Sequence, residues 1–191
     1  ERVQAEKALR ESEYKFATVF RSNPVPLTLT SGSDGVFIDV NDAFLRSSGY
    51  TREELIGKTA CEMGFFVDDD ENALFVSKLR AEQTVHGMEL RCRNKAGEIR
   101  TCRFSSRIVP IGGVPHILTT IEDITEYKKA QEAIRESGER YRLILENAHE
   151  GVLINELTPR GPGKFIDVNE SACRILGMTR EETLGVSLVD L

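Results

Sequence analysis

The sequence holds no tryptophan, three histidines and four cysteines in 191 residues, and it has no excess of basic charge. Each shortage removes a class of function. His86, His116 and His149 are scattered and lack any His-x-x-x-His spacing. Cys61, Cys92, Cys102 and Cys173 include no Cys-x-x-Cys pair, so neither a metal centre nor a redox motif is expected. With 31 acidic against 25 basic residues, net charge −6, the chain lacks the basic footprint of a nucleic-acid-binding surface. No apolar run approaches the roughly 20 residues that span a bilayer. The charged start Glu1-Arg2-Val3-Gln4 has no apolar secretion-signal core, so a soluble, cytoplasmic chain without membrane contact is expected. Gly112-Gly113 reads as a tight turn, and no glycine-rich phosphate loop occurs. No catalytic residue is proposed.

Hydrophobic residues make up 40% and charged residues 29%, the balance of a globular chain. The main positive signal is internal repetition. Ala8-Leu9-Arg10-Glu11-Ser12 recurs as Ala133-Ile134-Arg135-Glu136-Ser137, and Phe37-Ile38-Asp39-Val40-Asn41 recurs unchanged at 165–169. Thr51-Arg52-Glu53-Glu54 recurs at 179–182, and Gly57 as Gly185. A period of about 125 residues is a whole domain plus a linker, since solenoid units run to only ~20–50 residues.

In the first copy, Ala5, Leu9, Ser12, Phe16 and Val19 alternate at spacings of four and three, predicting a helix over 3–22 that Asn23-Pro24 ends. Strands follow at 25–30 and 36–40 around Asp34-Gly35. Asn41 caps a short helix that Gly49 ends, Thr51 and Glu54 form a capping box, and Asp68-Asp69-Asp70 opens a longer helix to about Gln83. Three strands are predicted at 87–93, 98–109 and 114–123, with His86 in the loop before them. Cys102, Phe104, Ser106 and Ile108 share one face of the second, and Arg103, Ser105 and Arg107 the other. A turn over Asn94–Gly97 places Cys92 opposite Ile99, so a Cys92–Cys102 disulfide is not expected. Thr125 is placed to cap an outgoing helix. Along it Tyr127, Ala130, Ile134, Ser137, Tyr141 and Ile144 form a heptad seam, which fits either a parallel homodimer or a solitary amphipathic helix.

The words Phe-Ile-Asp-Val-Asn-Asp-Ala-Phe (37–44), Tyr-Thr-Arg-Glu-Glu-Leu-Ile-Gly-Lys (50–58), Asn-Lys-Ala-Gly-Glu-Ile-Arg (94–100) and Glu-Asp-Ile-Thr-Glu-Tyr-Lys-Lys (122–129) resemble the PAS, or sensory-box, family. The resemblance covers about 12–127 and restarts near 137, with Ala96 standing where the family usually has an acid. It implies an α+β fold, a five-stranded antiparallel sheet of order 2-1-5-4-3 with short helices on one face. It also implies attachment to an output domain of a histidine kinase, cyclase or chemotaxis protein. The chain then divides into an entry helix (1–22), a first module (23–124), a linker helix (125–146) and the N-terminal half of a second module (147–191). Strands near 152–157 and 164–168 in that half would need covering by the first module or a second copy.

The expected function is sensing or relay toward an output outside this stretch, with a sensor histidine kinase as the expected whole. The alternative is a ligand-free dimerisation spacer. In this family a ligand sits between the inner sheet face and the short helices, where Cys102, Phe104 and Ser106 would meet Met63, Phe65 and Phe66; the same residues would also fill a plain core. The family's joint between sensor and output corresponds to Asp123-Ile124-Thr125. No cofactor is predicted. Flavin-binding relatives carry Gly-x-Asn-Cys-Arg-Phe-Leu-Gln where this chain has Gly57-Lys58-Thr59-Ala60-Cys61-Glu62-Met63-Gly64, and the helical histidine of haem-binding relatives is missing over 69–83.

Overall fold

The computed structural model describes residues 2–159 and 161–187, with the backbone alone described at 2, 3, 5, 6, 8, 9, 12 and 13. Its contacts divide the chain into two units that meet at Lys128–Lys129. The first holds α1 (Arg2–Ser22), β1 (Leu27–Ser31), β2 (Phe37–Val40), α2 (Asp42–Ser48), α3 (Arg52–Leu55), α4 (Asp69–Glu82), β3 (Thr84–Arg93), β4 (Ile99–Ile111) and β5 (Val114–Asp123). A helix, α5 (Thr125–Asn147), runs on into β6 (Leu153–Thr158), β7 (Gly161–Val168), α6 (Glu170–Leu176) and α7 (Arg180–Leu184).

The first sheet is antiparallel throughout, in the order β2-β1-β5-β4-β3, the α+β arrangement the sequence predicts. Gly112 and Gly113, both at positive φ, make the two-residue turn that joins β4 to β5 without splaying them. Period-two alternation turns Cys102, Phe104 and Ser106 of β4 inward. An aromatic chain from Phe37 through Phe44, Phe65, Phe66 and Phe104 to Phe75, with centroids 5.7 to 6.1 Å apart, fills the space between sheet and helices. On the opposite sheet face Phe20 of α1 packs on Leu27, Leu29 and Leu118. Phe16 and Val19 of the predicted seam stay exposed, and the side chains of Ala5, Leu9 and Ser12 lie outside the described residues.

Two expectations are corrected. The strand β3 begins at Thr84, so His86 lies in a strand and not in a loop. The reason is Gln83, whose left-handed conformation (φ 61) closes α4 and turns the chain directly into β3. The β3–β4 turn is also one residue longer than predicted. Asn94 gives its amide to the Glu98 carbonyl and takes the Glu98 amide on its side chain, so Glu98 belongs to the turn and Cys92 faces Arg100 instead of Ile99.

Asn41, fully buried, ties these elements together. Its Oδ1 accepts the amides of Leu27 and Phe44, both at 2.9 Å, while Nδ2 donates to the carbonyls of Asn23 and Val25 at 3.1 and 2.8 Å. One side chain thus caps α2, starts β1 and fixes the end of α1. The segment after α3 guards the sheet margins. Phe37 donates to Lys58 and Gly57 to Phe37 along the free side of β2, while Arg93 donates to Phe65 and Val67 to Arg91 along the free side of β3.

The second unit repeats this local chemistry. Asn169 Oδ1 accepts the amides of Val152 and Ala172, and its Nδ2 donates to the carbonyls of Leu145, Ala148 and Glu150. Arg180 pairs with Asp167 as Arg52 pairs with Asp39. Glu182 accepts the Thr179 amide as Glu54 accepts that of Thr51. The sheet here has two strands, β6 and β7, with Phe165 and Val168 turned inward. Asn41→Ala strands the buried amides of Leu27 and Phe44 and frees two partly buried carbonyls, and is expected to cost the first unit about 3 kcal/mol in denaturant unfolding. A loss below about 1 kcal/mol would show that the amide is not the tie described.

Candidate functional site

The inward faces of β1, β5 and β4 supply Thr28 and Thr30, Ile117, Thr119 and Ile121, and Phe104 and Ile108, all opposite the helices. From the helical side come Phe65, Phe66, and the α4 residues Phe75, Val76 and Leu79. Between them lies a cavity of about 170 Å³. The walls are mostly aromatic and aliphatic, and the polar groups are few and fixed. Buried Ser106 and Thr119 share a hydroxyl hydrogen bond of 2.8 Å, and Asn72 donates to the Cys61 sulfur at 3.2 Å near the rim, where Arg80 also stands. Such a space suits a small, largely apolar molecule with one or two hydrogen-bonding groups.

Of the six pocket residues named from sequence, Phe65, Phe66 and Phe104 stand on this wall. Ser106 lies behind it, reaching it through Thr119. Met63 packs on the core beyond the cavity and gives its carbonyl to the Tyr50 hydroxyl. Cys102 faces a separate small cavity beside Cys92. Sequence reasoning missed Thr28, Thr119 and Ile121, although strand alternation would have pointed them inward with Leu27 and Leu118 outward. The contribution of α4 had no such signal, because which face of a weakly amphipathic helix turns inward is decided by the sheet it meets.

The strand β5, which walls the cavity with Ile117, Thr119 and Ile121, ends at Asp123 and turns into α5. At this joint Asp123 Oδ1 accepts the Thr125 amide at 2.9 Å and the Thr125 hydroxyl at 2.6 Å, and Asp123 Oδ2 meets Arg100 at 3.3 Å. The Thr125 hydroxyl in turn accepts the Thr101 amide at 3.0 Å, and Ile124 donates to the Thr101 carbonyl. The cap is therefore Asp123 and not Thr125, since the threonine hydroxyl is already committed to β4. Burial raises the Asp123 pKa, but the two Thr125 hydrogen bonds and Arg100 outweigh it and hold the carboxyl below its ordinary range. Lys128, one turn into α5, pairs with Glu89 of β3 at 2.6 Å; Glu89 and Glu122 both face Arg103. Beyond this turn Tyr127, Ile134, Tyr141 and Ile144 are exposed along α5, with Ala130 also exposed, and the helix buries none of its residues.

Among the described residues, no three His, Cys, Asp or Glu side chains gather as metal ligands, and no helix is long and apolar enough to cross a membrane. The first unit is thus a helix-covered antiparallel sheet with an internal cavity, whose last strand passes straight into a helix. Family models described as PAS domain match residues 24–126 and 139–191. The chain belongs to the PAS domain family. The methyl sulfide methyltransferase-associated sensor of Methanosarcina acetivorans is 31% identical over 162 residues, 83% of this chain and 16% of its own. The "Probable diguanylate cyclase DgcE" of Escherichia coli is 28% identical over 156 residues, covering 80% and 14%. Sporulation kinase E of Bacillus subtilis is 22% identical over 191 residues, covering 100% and 25%. The chain thus spans a quarter or less of each relative.

A depressed carboxylate stabilises the fold above its unfolded pKa of about 3.9, and the contribution is lost as pH falls through the folded value. Asp123→Asn is therefore expected to lower stability at pH 7 by about 1 kcal/mol or less, the pair being partly exposed. The gap to the parent should narrow only below about pH 4. Melting temperatures of both proteins across pH 2–7 check this, and a gap that widens on acidification would contradict it.

Proposed function

We propose that the first PAS unit (23–124) senses a small, largely apolar molecule in its cavity and relays its presence through Asp123-Ile124-Thr125 into the linker (125–146) and the second unit (147–191). One observation carries the reading: β5 forms the cavity wall and also ends in the joint, so a shift of Ile121 arises two residues before Asp123, whose carboxylate holds the first amide of α5. The related proteins support a sensory role, because a sensor, a cyclase and a kinase share this stretch while their names differ in output. The module itself is non-catalytic, and the whole protein is a cytoplasmic sensor histidine kinase that carries its output in cis. The related sporulation kinase and the free thiols support this reading. A histidine-bound phosphate on the full-length protein after incubation with ATP is the expected result, and cyclase activity in its place would assign the other output.

A second reading rests on the apolar row Tyr127, Ile134, Tyr141 and Ile144, exposed on one helix. It makes α5 a parallel homodimer seam and the units spacers. The two readings separate in one experiment. In a screen of small organic molecules, hits are expected to raise the melting temperature of the parent, and Ala60→Phe, which fills the cavity wall, should abolish the shift. Stabilisation by no compound, together with loss of dimer in Ile134→Glu by sedimentation, would leave the spacer reading standing alone.

A further inference from the structure

Cys92 and Cys102 take no part in the large cavity, yet both are buried in the core, and each thiol shifts the ionisation of the other. In the sheet Leu90 faces Cys102 and Arg100 faces Cys92, so the two are diagonal neighbours across β3 and β4. Both border a separate cavity of about 40 Å³ whose lining includes Arg100 and Asp123. On its other side Cys102 stands directly opposite Asp123 of β5. The preceding residue, Thr101, gives its amide to Thr125 and takes the amide of Ile124. The thiol pair is thus one peptide unit away from the joint.

We propose that Cys92 and Cys102 form an oxidisable dithiol that takes hydrogen peroxide as its substrate and, by closing to a disulfide, acts on the Asp123–Thr125 joint. The cavity exceeds the ~10–15 Å³ that one water needs, so it has room for a molecule of peroxide's size beside the two thiols. The pair is chemically unequal. The neighbouring Cys92 thiol draws the Cys102 thiol down against burial, and Cys102 together with burial pushes Cys92 up. Cys102 is the attacking sulfur. Its thiolate attacks one peroxide oxygen and the O–O bond breaks; Cys102 becomes a sulfenic acid, and the released hydroxide takes up the thiol proton as water. The Cys92 sulfur then attacks the sulfenic sulfur. An S–S bond forms, the S–O bond breaks, and the hydroxyl leaves as a second water with the Cys92 proton. The two thiols lose two electrons and one peroxide gains them.

Diagonal neighbours stand ~7–8 Å apart between Cα atoms, beyond comfortable disulfide reach. Closing the bond must therefore move the strands against each other, and Cys102 passes that movement to the residues opposite and beside it. A bond formed under such strain is readily reduced again, as a reversible device requires.

The test uses the whole chain with Cys61→Ser and Cys173→Ser, which removes the exposed and half-buried thiols. Hydrogen peroxide is expected to lower the mass by about 2 Da and to give a Cys92–Cys102 linked peptide that dithiothreitol reverses. Amide exchange at Ile124 and Lys128 should quicken several-fold in the oxidised form. With Cys92→Ser added, which keeps a hydrogen-bond donor beside Cys102 but removes the resolving sulfur, the reaction should stop at a sulfenic acid on Cys102, read as a mass gain of about 16 Da on its peptide. Thiols that survive peroxide, or that yield only higher acids without a link, would overturn the proposal. The effect on the joint rests on the relay reading while the cross-link does not. A disulfide that leaves exchange at Ile124 and Lys128 unchanged would therefore overturn the coupling and leave the ligand reading to its own test.

Discussion

The first unit is organised around one buried amide. Asn41 has no exposed surface, and both its oxygen and its nitrogen serve backbone groups that come from the connection after α1, from β1 and from α2. Without it the amides of Leu27 and Phe44 would be buried without partners, each at a cost of about 1–3 kcal/mol. No other short side chain offers two acceptor sites and two donors in one plane. Asn169 holds the same station in the second unit and reaches back to the carbonyl of Leu145 near the end of α5. The repetition visible in the sequence is therefore a repetition of a hydrogen-bonding device, and the flanking Asp–Arg pairs and threonine caps repeat with it.

Most of the fold was legible because its signals are local. Asn41, Gly49, the Thr51–Glu54 pair and the alternation of Cys102, Phe104 and Ser106 each act within a few residues, and the family words supplied the strand order. The errors fall where a single residue switches side. Gln83 adopts a left-handed cap that its type does not advertise, and Glu98 joins a turn instead of a strand because Asn94 captures its amide. The second slip had consequences, since it moved Cys92 by one position and with it the relation between the two thiols. The cavity was half legible. Phe65, Phe66 and Phe104 were found by their place in the pattern, whereas Cys102 looks onto a separate small space and half-buried Met63 packs against the core away from the cavity.

The joint shows how little material links sheet to helix. Asp123 holds the first free amide of α5, Thr101 holds the hydroxyl of Thr125, and Lys128 reaches across to Glu89. All three strands of the β3–β4–β5 meander thus touch the first turn of a helix that buries none of its residues further on. With so few apolar contacts of its own, the direction of that turn is set by charge pairs and hydrogen bonds. These are directional and can be exchanged for others at small cost, which suits a part that must answer to changes in the sheet.

The backbone segment 57–67 lies along both margins of the sheet, against β2 through Gly57 and Lys58 and against β3 through Phe65 and Val67. Unpaired strand edges are where chains stick to one another. By folding one short stretch of loop against both ends, the unit pairs part of each lateral strand, Phe37 of β2 and Arg91 to Arg93 of β3, and shortens the edge left open as a template. Repeated PAS units strung along one polypeptide sit at very high local concentration, where exposed edges would zip neighbouring copies together during synthesis. The guarded margins let such units be multiplied in a chain without becoming seeds of their own misassembly.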